Sequence, residues 1–466
     1  MNEAEIGLIG LGTMGSALAL NIADHGFDIA VWNRTTARTR EFHAAAGDLA
    51  PRIVPTESLE ALVSSIRQPR AIILMVPAGP AVDEQIAALR PLLAPDDLIV
   101  DAGNANFHDT NRRSAGGNGP FLGMGVSGGE EGARHGPSIM GGGDKRHWDR
   151  IAHILEAISA KYDGEPCATW MGEAGAGHFV KAVHNGIEYA DMQMIAEIYG
   201  IMRDGMNMDA GAIGKVFDRW NGGPLQSYLI EISGKVAGTR DPATGMPLLD
   251  VIVDAAGQKG TGRWTAIEAQ HLGTPITAIE AAVAARNLSA RREERAAGEA
   301  LFGAAPTRLP GDALSIDTLE KALVAGKVIG YAQGFAMISA ASAQFGWRLP
   351  LDEIARVWRA GCIIRSAMLN DMAAALGADP ERNLVFAPAF ADRVKATHAS
   401  LRTVVMESAR AGLPTPSLAS CLFWFDTLRT ARGTANMIQG QRDFFGMHGF
   451  ERLDTGARGQ HGPWAD

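Results

Sequence analysis

Glu5-Ile6-Gly7-Leu8-Ile9-Gly10-Leu11-Gly12-Thr13-Met14-Gly15-Ser16 decides the fold class. The apolar run Glu5–Ile9 predicts a strand, and Ser16–His25 predicts a helix stopped by Gly26. Between them Gly10, Gly12 and Gly15 stand in the G-x-G-x-x-G spacing, at the strand-to-helix junction where that spacing has physical meaning. The first glycine permits a tight turn, the second lets backbone approach a pyrophosphate, and the third lets helix and strand pack closely. The hexad opens the first helix, whose free N–H groups and positive dipole end suit phosphate.

The next strand, Ile29–Trp32, runs on into Asn33-Arg34-Thr35. A dinucleotide site that takes NAD usually carries Asp or Glu there, to bind the ribose 2′-hydroxyl. No carboxylate is present. Arg34 offers a planar cation for a 2′-phosphate, with Asn33 and Thr35 as hydrogen-bonding neighbours, so the expected cofactor is NADP.

Outward from this unit, Ala71–Val76, Leu98–Asp101 and Phe121–Gly125 are further short apolar runs separated by helical patterns. The expectation is an α/β Rossmann-type doubly wound parallel sheet over residues 1–176, covered on both faces. From Phe179 to about Thr430 the periodicity is helical, with long stretches at Leu319–Phe345 and Leu351–Leu376. This predicts a large all-α domain over 177–434, interrupted by a loop around Gly298–Gly311. Residues 435–466 form a tail that lacks clean periodicity from Gln439 and is expected to be extended.

A length of 466 residues accommodates these parts. The net charge of −9 argues against a nucleic-acid surface, while leaving room for a local basic pocket. Cys167, Cys362 and Cys421 offer neither a disulfide framework nor a zinc spacing, so no metal is expected and a reducing, cytoplasmic location is the default. No leader pattern and no run of 18 or more apolar residues is found, so no membrane partner is expected.

The chemistry-bearing stretch is Gly177-His178-Phe179-Val180-Lys181-Ala182-Val183-His184-Asn185-Gly186-Ile187-Glu188-Tyr189. On a helix, Lys181, His184, Asn185 and Glu188 fall at i, i+3, i+4 and i+7, along one stripe. Val180, Val183, Ile187, Ala190 and Met194 form a core face, and Ala182, Gly186 and Tyr189 the remaining side. Such a stripe is either a solvated face or a polar lining turned toward a ligand, and the spacing alone leaves both open. In the second case, desolvated Lys181 would serve as a base and Glu188 as an acid.

Three more stretches are candidates for ligand contact. Asp101-Ala102-Gly103-Asn104 ends a strand, where open α/β sheets bind ligands. Gly125-Val126-Ser127-Gly128-Gly129 combines a hydroxyl with backbone that a substrate can approach. Ala256-Gly257-Gln258-Lys259-Gly260-Thr261-Gly262 suits a phosphate but lacks the spacing of a nucleotide P-loop. Arg286, Arg442 and His448 are the cationic candidates for a substrate phosphate, the last two within Gln441-Arg442-Asp443-Phe444-Phe445-Gly446-Met447-His448.

With these residues in hand, the chain resembles the decarboxylating 6-phosphogluconate dehydrogenase family of the β-hydroxyacid dehydrogenase superfamily. The likeness runs from the first strand to the tail. It is most specific in Gly125–Gly136 (GVSGGEEGARHG), His178–Glu197 (HFVKAVHNGIEYADMQMIAE), Ala256–Thr265 (AGQKGTGRWT), Arg359–Ser366 (RAGCIIRS) and Gln441–His448 (QRDFFGMH). The resemblance implies oxidation and decarboxylation of 6-phosphogluconate to ribulose 5-phosphate by NADP, in the pentose phosphate pathway. Lys181 would be the base and Glu188 the acid. Gly10, Gly12, Thr13, Met14, Gly15, Asn33, Arg34, Thr35, Val76 and Asn104 would contact the cofactor. Asn104, Ser127, Gly128, Gly129, His184 and Asn185 would contact the carboxylate and hydroxyls of the substrate, and Tyr189, Lys259, Thr261, Arg286, Arg442 and His448 its phosphate end. The resemblance also implies a homodimer in which the tail reaches the partner subunit. Ala102 stands where a glycine is usual, and beyond Arg452 the likeness is loose.

Two alternatives stand beside this reading. A non-decarboxylating β-hydroxyacid dehydrogenase would share the first domain and the lysine helix in a shorter chain without the second helical half. A non-catalytic NADP-binding protein of the same fold would be expected to lack Lys181 or Glu188.

Overall fold

The computed structural model describes residues 3–117 and 119–464. Its first part is an eight-stranded sheet in the order β10-β7-β6-β5-β4-β1-β2-β3. The strands are β1 (Ile6–Ile9), β2 (Ile29–Trp32), β3 (Ile53–Pro55), β4 (Ala71–Leu74), β5 (Leu98–Asp101), β6 (Phe121–Ser127), β7 (Ser138–Gly143) and β10 (Ala168–Gly172). A separate small hairpin pairs β8 (Lys161–Tyr162) with β9 (Glu165–Pro166). Alternate residues point to opposite faces. Leu8, Val31, Ile73 and Val100 enter one buried cluster, and Ile9, Ala30, Ile72 and Ile99 enter another. Both faces are therefore covered, which is why these strands read as unbroken apolar runs.

β1 to β6 are parallel, but β7 pairs antiparallel with β6, and β10 runs parallel to β7. The sheet is thus mixed, where the sequence predicts a parallel one. Only ten residues separate Ser127 from Ser138. A parallel crossover needs a dozen or more, so the chain turns back through the short Gly129–His135 helix.

The second part is helical from Ala176 onward. The helix Ala176–Gly200, called the site helix below, packs on β6 and β7 and on the 30-residue helix Ile316–Phe345. That long helix is apolar enough to cross a membrane, but 89% of its apolar window is buried inside the protein. Lys327 on it pairs with Asp191 of the site helix at 2.8 Å, with both side chains buried. Phe107 of the first part meets Phe179, Phe345 and Trp347 of the second at ring separations of 5.2–5.7 Å. Such aromatic pairs add about 0.5–1.5 kcal/mol each beyond their buried area and cement the two parts.

Three expectations change. The stretch Leu351–Leu376 is two helices, Leu351–Val357 and Met368–Ala378, not one. The break carries Gly361 at φ +68, and its carbonyl accepts from the Ser138 N–H at 2.8 Å, tying the segment to the sheet edge. The loop expected around Gly298–Gly311 begins only after Phe302, because Arg292–Phe302 is helical. Good helix formers around Gly298 offset the roughly 1 kcal/mol that a mid-helix glycine costs. Finally, Ala435–Gly446 is a helix where the tail from Gln439 was expected to be extended.

Candidate active site

β1, β2, β4, β5 and β6 all end on the same edge of the sheet, and each delivers a candidate residue there. The glycine turn follows β1, Asn33-Arg34-Thr35 follows β2, Val76 follows β4, Asn104 follows β5, and Ser127 closes β6. The strand order reverses between β1 and β4, so this edge has the topological switch point at which open sheets take up ligands.

At that point Gly10 has φ +100, and a side chain there would press on the Met75 carbonyl. A Cβ on Gly15 would lie 1.9 Å from the Gly10 carbonyl oxygen. Gly12, by contrast, faces open space, and as N-cap it donates no side chain to the helix Thr13–Asp24. The first-turn N–H groups of Thr13, Met14 and Gly15 thus remain available to an anion. Asn33 serves the turn itself, its Oδ1 accepting from the Leu11 N–H at 3.0 Å. Arg34 is exposed and has no hydrogen bond or ion pair among the described residues. Thr35 is also exposed. Arg38, which the sequence analysis did not single out, donates from Nε to the Leu11 carbonyl at 2.8 Å and so lies against the same turn. Its spacing of four from Arg34 was the available signal. These groups fit a dinucleotide that carries an extra phosphate on its ribose.

The polar stripe of the site helix is not a solvated face. His184 is fully buried, Lys181 is 8% exposed, and Asn185 and Glu188 are partly buried. Val180, Val183, Ile187, Ala190 and Met194 are all in the core. Lys181 Nζ donates to Asn185 Oδ1 at 2.7 Å and to Ser127 Oγ at 3.1 Å. Ser127 Oγ lies 3.3 Å from His184 Nε2, and His184 Nδ1 lies 3.0 Å from Asn185 Oδ1. A neutral imidazole protonated on Nδ1 satisfies this set, accepting from the serine and donating to the asparagine. Asn185 Nδ2 then donates to Thr261 Oγ1 at 3.0 Å, joining the glycine-rich loop to the stripe. Glu188 Oε2 is 3.8 Å from His184 Nδ1.

This crowding depends on absent side chains. A Cβ on Gly125 would stand 2.5 Å from the Lys181 Cβ, and one on Gly128, at φ +110, 2.6 Å from the Gly361 carbonyl oxygen. Burial lowers the Lys181 pKa from its ordinary range, against the attraction of Glu188. Burial and the neighbouring Lys181 hold His184 well below its usual range and keep it neutral. Burial raises Glu188, outweighing Lys181 and Arg286. Base and acid candidates are therefore both pushed toward their neutral forms, the arrangement that proton transfer in both directions needs.

At the far end of the stripe Arg286 stacks 3.6 Å over the Tyr189 ring, and burial lowers its pKa. Gly262 lies against the same ring, Thr261 is buried and Lys259 is exposed. Gly129 and Asn104 are exposed. Arg442 and His448 are not joined to this cluster. Arg442 contacts Gln439 at 3.3 Å and His448 packs edge-on to Phe445, both within the tail. The tail is organised around Asp443, whose buried carboxylate accepts from Gly449 N–H, His461 Nδ1, Gly462 N–H and Trp464 Nε1 at 2.6–2.9 Å. Phe444, Phe445, Met437 and Ile438 of its helix are exposed.

Comparison with known proteins follows the same division. Residues 5–172 match the NAD binding domain of 6-phosphogluconate dehydrogenase, and residues 177–464 match the C-terminal domain of 6-phosphogluconate dehydrogenase. The chain is 46% identical, over 97% of its length and 98% of the relative's, to the NADP(+)-dependent, decarboxylating 6-phosphogluconate dehydrogenase of Bacillus subtilis. It is 45% identical to the decarboxylating enzyme of Chlamydia pneumoniae, over 99% of its length and 98% of the relative's. Among solved structures, the 6-phosphogluconate dehydrogenase of Plasmodium falciparum, described in apo form and in complexes with NADP+ and 6-phosphogluconate, superposes with a TM-score of 0.95 at 39% identity. That match covers 99% of this chain and 100% of the other.

Proposed function

The chain belongs to the 6-phosphogluconate dehydrogenase family, and on that premise we propose that it oxidises and decarboxylates 6-phosphogluconate to ribulose 5-phosphate, CO2 and NADPH. One observation carries the reading: a buried lysine, fixed between a serine and an asparagine, shares a helix stripe with a partly buried glutamate at the ligand edge of the sheet.

NADP, when bound, supplies the acceptor for the hydride lost from C3 of the sugar acid. Arg34, helped by Arg38, binds its 2′-phosphate, and Gly10, Gly12, Thr13, Met14 and Gly15 admit its pyrophosphate, with Asn33, Thr35, Val76 and Asn104 around it. Asn104, Ser127, Gly128, Gly129, His184 and Asn185 hold the carboxylate and hydroxyls of the substrate. Lys181 takes the proton of the C3 hydroxyl, which requires a neutral amine, the form its burial favours. The resulting β-keto acid loses CO2 because the ketone accepts the electrons. The ammonium formed on Lys181 then hydrogen-bonds the developing oxyanion. Glu188, whose burial raises its pKa and so favours the protonated form, delivers a proton to C1 of the enediol.

Tyr189, Lys259, Thr261 and Arg286 receive the phosphate. Arg442 and His448 complete that end from the partner subunit's tail, in a homodimer. The exposed apolar side of the tail helix and the internal pairing of its polar groups support docking on another copy. The three cysteines are buried and unpaired, which suits a reducing cytoplasm and the oxidative branch of the pentose phosphate pathway.

The test is the purified protein with NADP and 6-phosphogluconate, measuring NADPH and CO2 together. One of each per turnover is expected, and NADPH without CO2 would point instead to a non-decarboxylating hydroxyacid dehydrogenase. Lys181→Met should abolish NADPH formation and leave NADP binding intact; turnover like the wild type would remove Lys181 from the base role.

A further inference from the structure

We propose that His108, Glu268 and His271 form a divalent transition-metal site that clasps the nucleotide-binding part of the chain to the helical part. His108 lies on the helix Phe107–Ala115 that follows β5, and Glu268 and His271 lie on the helix Thr261–His271. Glu268 Oε2 is 2.8 Å from His108 Nε2 and 3.3 Å from His271 Nδ1. The three donor atoms lie within 4.8 Å of one another.

The glutamate is the informative member. Its side chain is 7% exposed, yet among the described residues it has no lysine or arginine partner and meets only the two imidazoles. A carboxylate out of water calls for a cation or a full set of donors. A tetrahedral ion with bonds of about 2.0–2.2 Å holds its ligand atoms roughly 3.3–3.5 Å apart, within the spread seen here. Two neutral imidazoles and one carboxylate suit zinc, cobalt or nickel, with the fourth position left to water. The histidines are 54% and 66% exposed, so an ion has direct access from solvent.

Glu268 and His271 are three residues apart and share a helix face. His108 is 160 residues away from Glu268, so the set exists only once the two parts have met. The helix that carries the pair begins at Thr261, which binds Asn185, and its Thr265 hydroxyl donates to the Ala182 carbonyl at 2.7 Å. An ion at the cluster therefore braces that helix, already tied to the site helix, against the first part of the chain.

The experiment is calorimetric titration of chelator-treated full-length protein with zinc chloride, with cobalt chloride as a spectroscopic substitute. One ion per chain is expected, with a raised Tm and, for cobalt, the visible absorption of a tetrahedral site. Glu268→Gln, His271→Ala and His108→Gln should each weaken binding more than about tenfold, since even losses in a second coordination shell cost that much. His135→Ala, on an exposed histidine elsewhere, should bind as the wild type does. Absence of stoichiometric binding, or binding undiminished in both His271→Ala and His108→Gln, would overturn the proposal. So would a Tm that falls in the variants but never responds to metal in the wild type, which would leave a hydrogen-bonded clasp only.

Discussion

Replacing Gly125 by alanine adds one methyl group where the sheet packs closely on the site helix, directly against Lys181. The new Cβ would stand 2.5 Å from the Lys181 Cβ and 2.9 Å from its Cγ, with the Gly177 carbonyl oxygen at 3.2 Å. Carbon atoms in ordinary contact sit about 3.5–4.0 Å apart, so roughly 1 Å must be recovered. Neither flank yields cheaply. Gly125 is held opposite Met140 in the β6–β7 ladder, and the Lys181 Cβ is anchored to the helix backbone. The helix therefore shifts or tilts, carrying the amine away from Ser127. Overpacking of this kind costs about 1–3 kcal/mol of stability. A misplacement of about 1 Å at the reacting groups costs on the order of 100-fold in rate, about 2.7 kcal/mol of barrier. NADP binding should hardly change, because the glycine turn after β1 lies three strand spacings from β6, about 14 Å at ~4.8 Å each. The assay is steady-state NADPH formation with a parallel NADP binding titration and a thermal melt. Gly200→Ala is the control: it lies on the same helix, and its added methyl meets nothing within 4 Å. A Gly125→Ala enzyme that folds and keeps wild-type kcat would refute the claim that this contact positions Lys181.

Arg34→Asp places a carboxylate where the second strand ends and should turn the preference from NADP toward NAD; an unchanged ratio of kcat/KM for the two cofactors would contradict the 2′-phosphate assignment. Lys327→Met leaves Asp191 buried without its partner and should cost about 3–5 kcal/mol, read as a fall in the denaturation midpoint, with little effect if the pair is dispensable. In pH profiles of kcat/KM activity falls on the acidic side as the Lys181 amine, whose pKa burial lowers, becomes protonated. The alkaline limb belongs to Glu188, with its pKa raised, so activity falls as pH rises and the carboxyl ionises. Glu188→Gln should remove the alkaline limb, and a profile unchanged in shape would assign that limb to another group.

Local order was sufficient for the doubly wound part. Gly10, Gly12 and Gly15 have one physical use at that junction, and the unbroken apolar strands report burial on both faces. The reversal at β7 was not legible, because Ser138–Gly143 is half glycine and carries no strand pattern. Its glycines are there for close approach: a Cβ on Gly142 would stand 2.4 Å from the Gly177 backbone nitrogen. The break after Val357 and the helix in the tail were missed for a related reason. Each is held by distant partners, Ser138 in one case and the donors gathered around Asp443 in the other.

The spacing of Lys181, His184, Asn185 and Glu188 determined by itself that these groups share one helical stripe, since 3.6 residues per turn admit nothing else. Whether that stripe met water or protein was beyond it, because a helix does not know what packs on it. Tertiary structure decided the matter by closing β6, the Thr261 loop and the Gly361 segment around the helix. Desolvation then moves a lysine and a glutamate toward neutrality, a field effect of everything surrounding them that no stretch of the chain encodes alone.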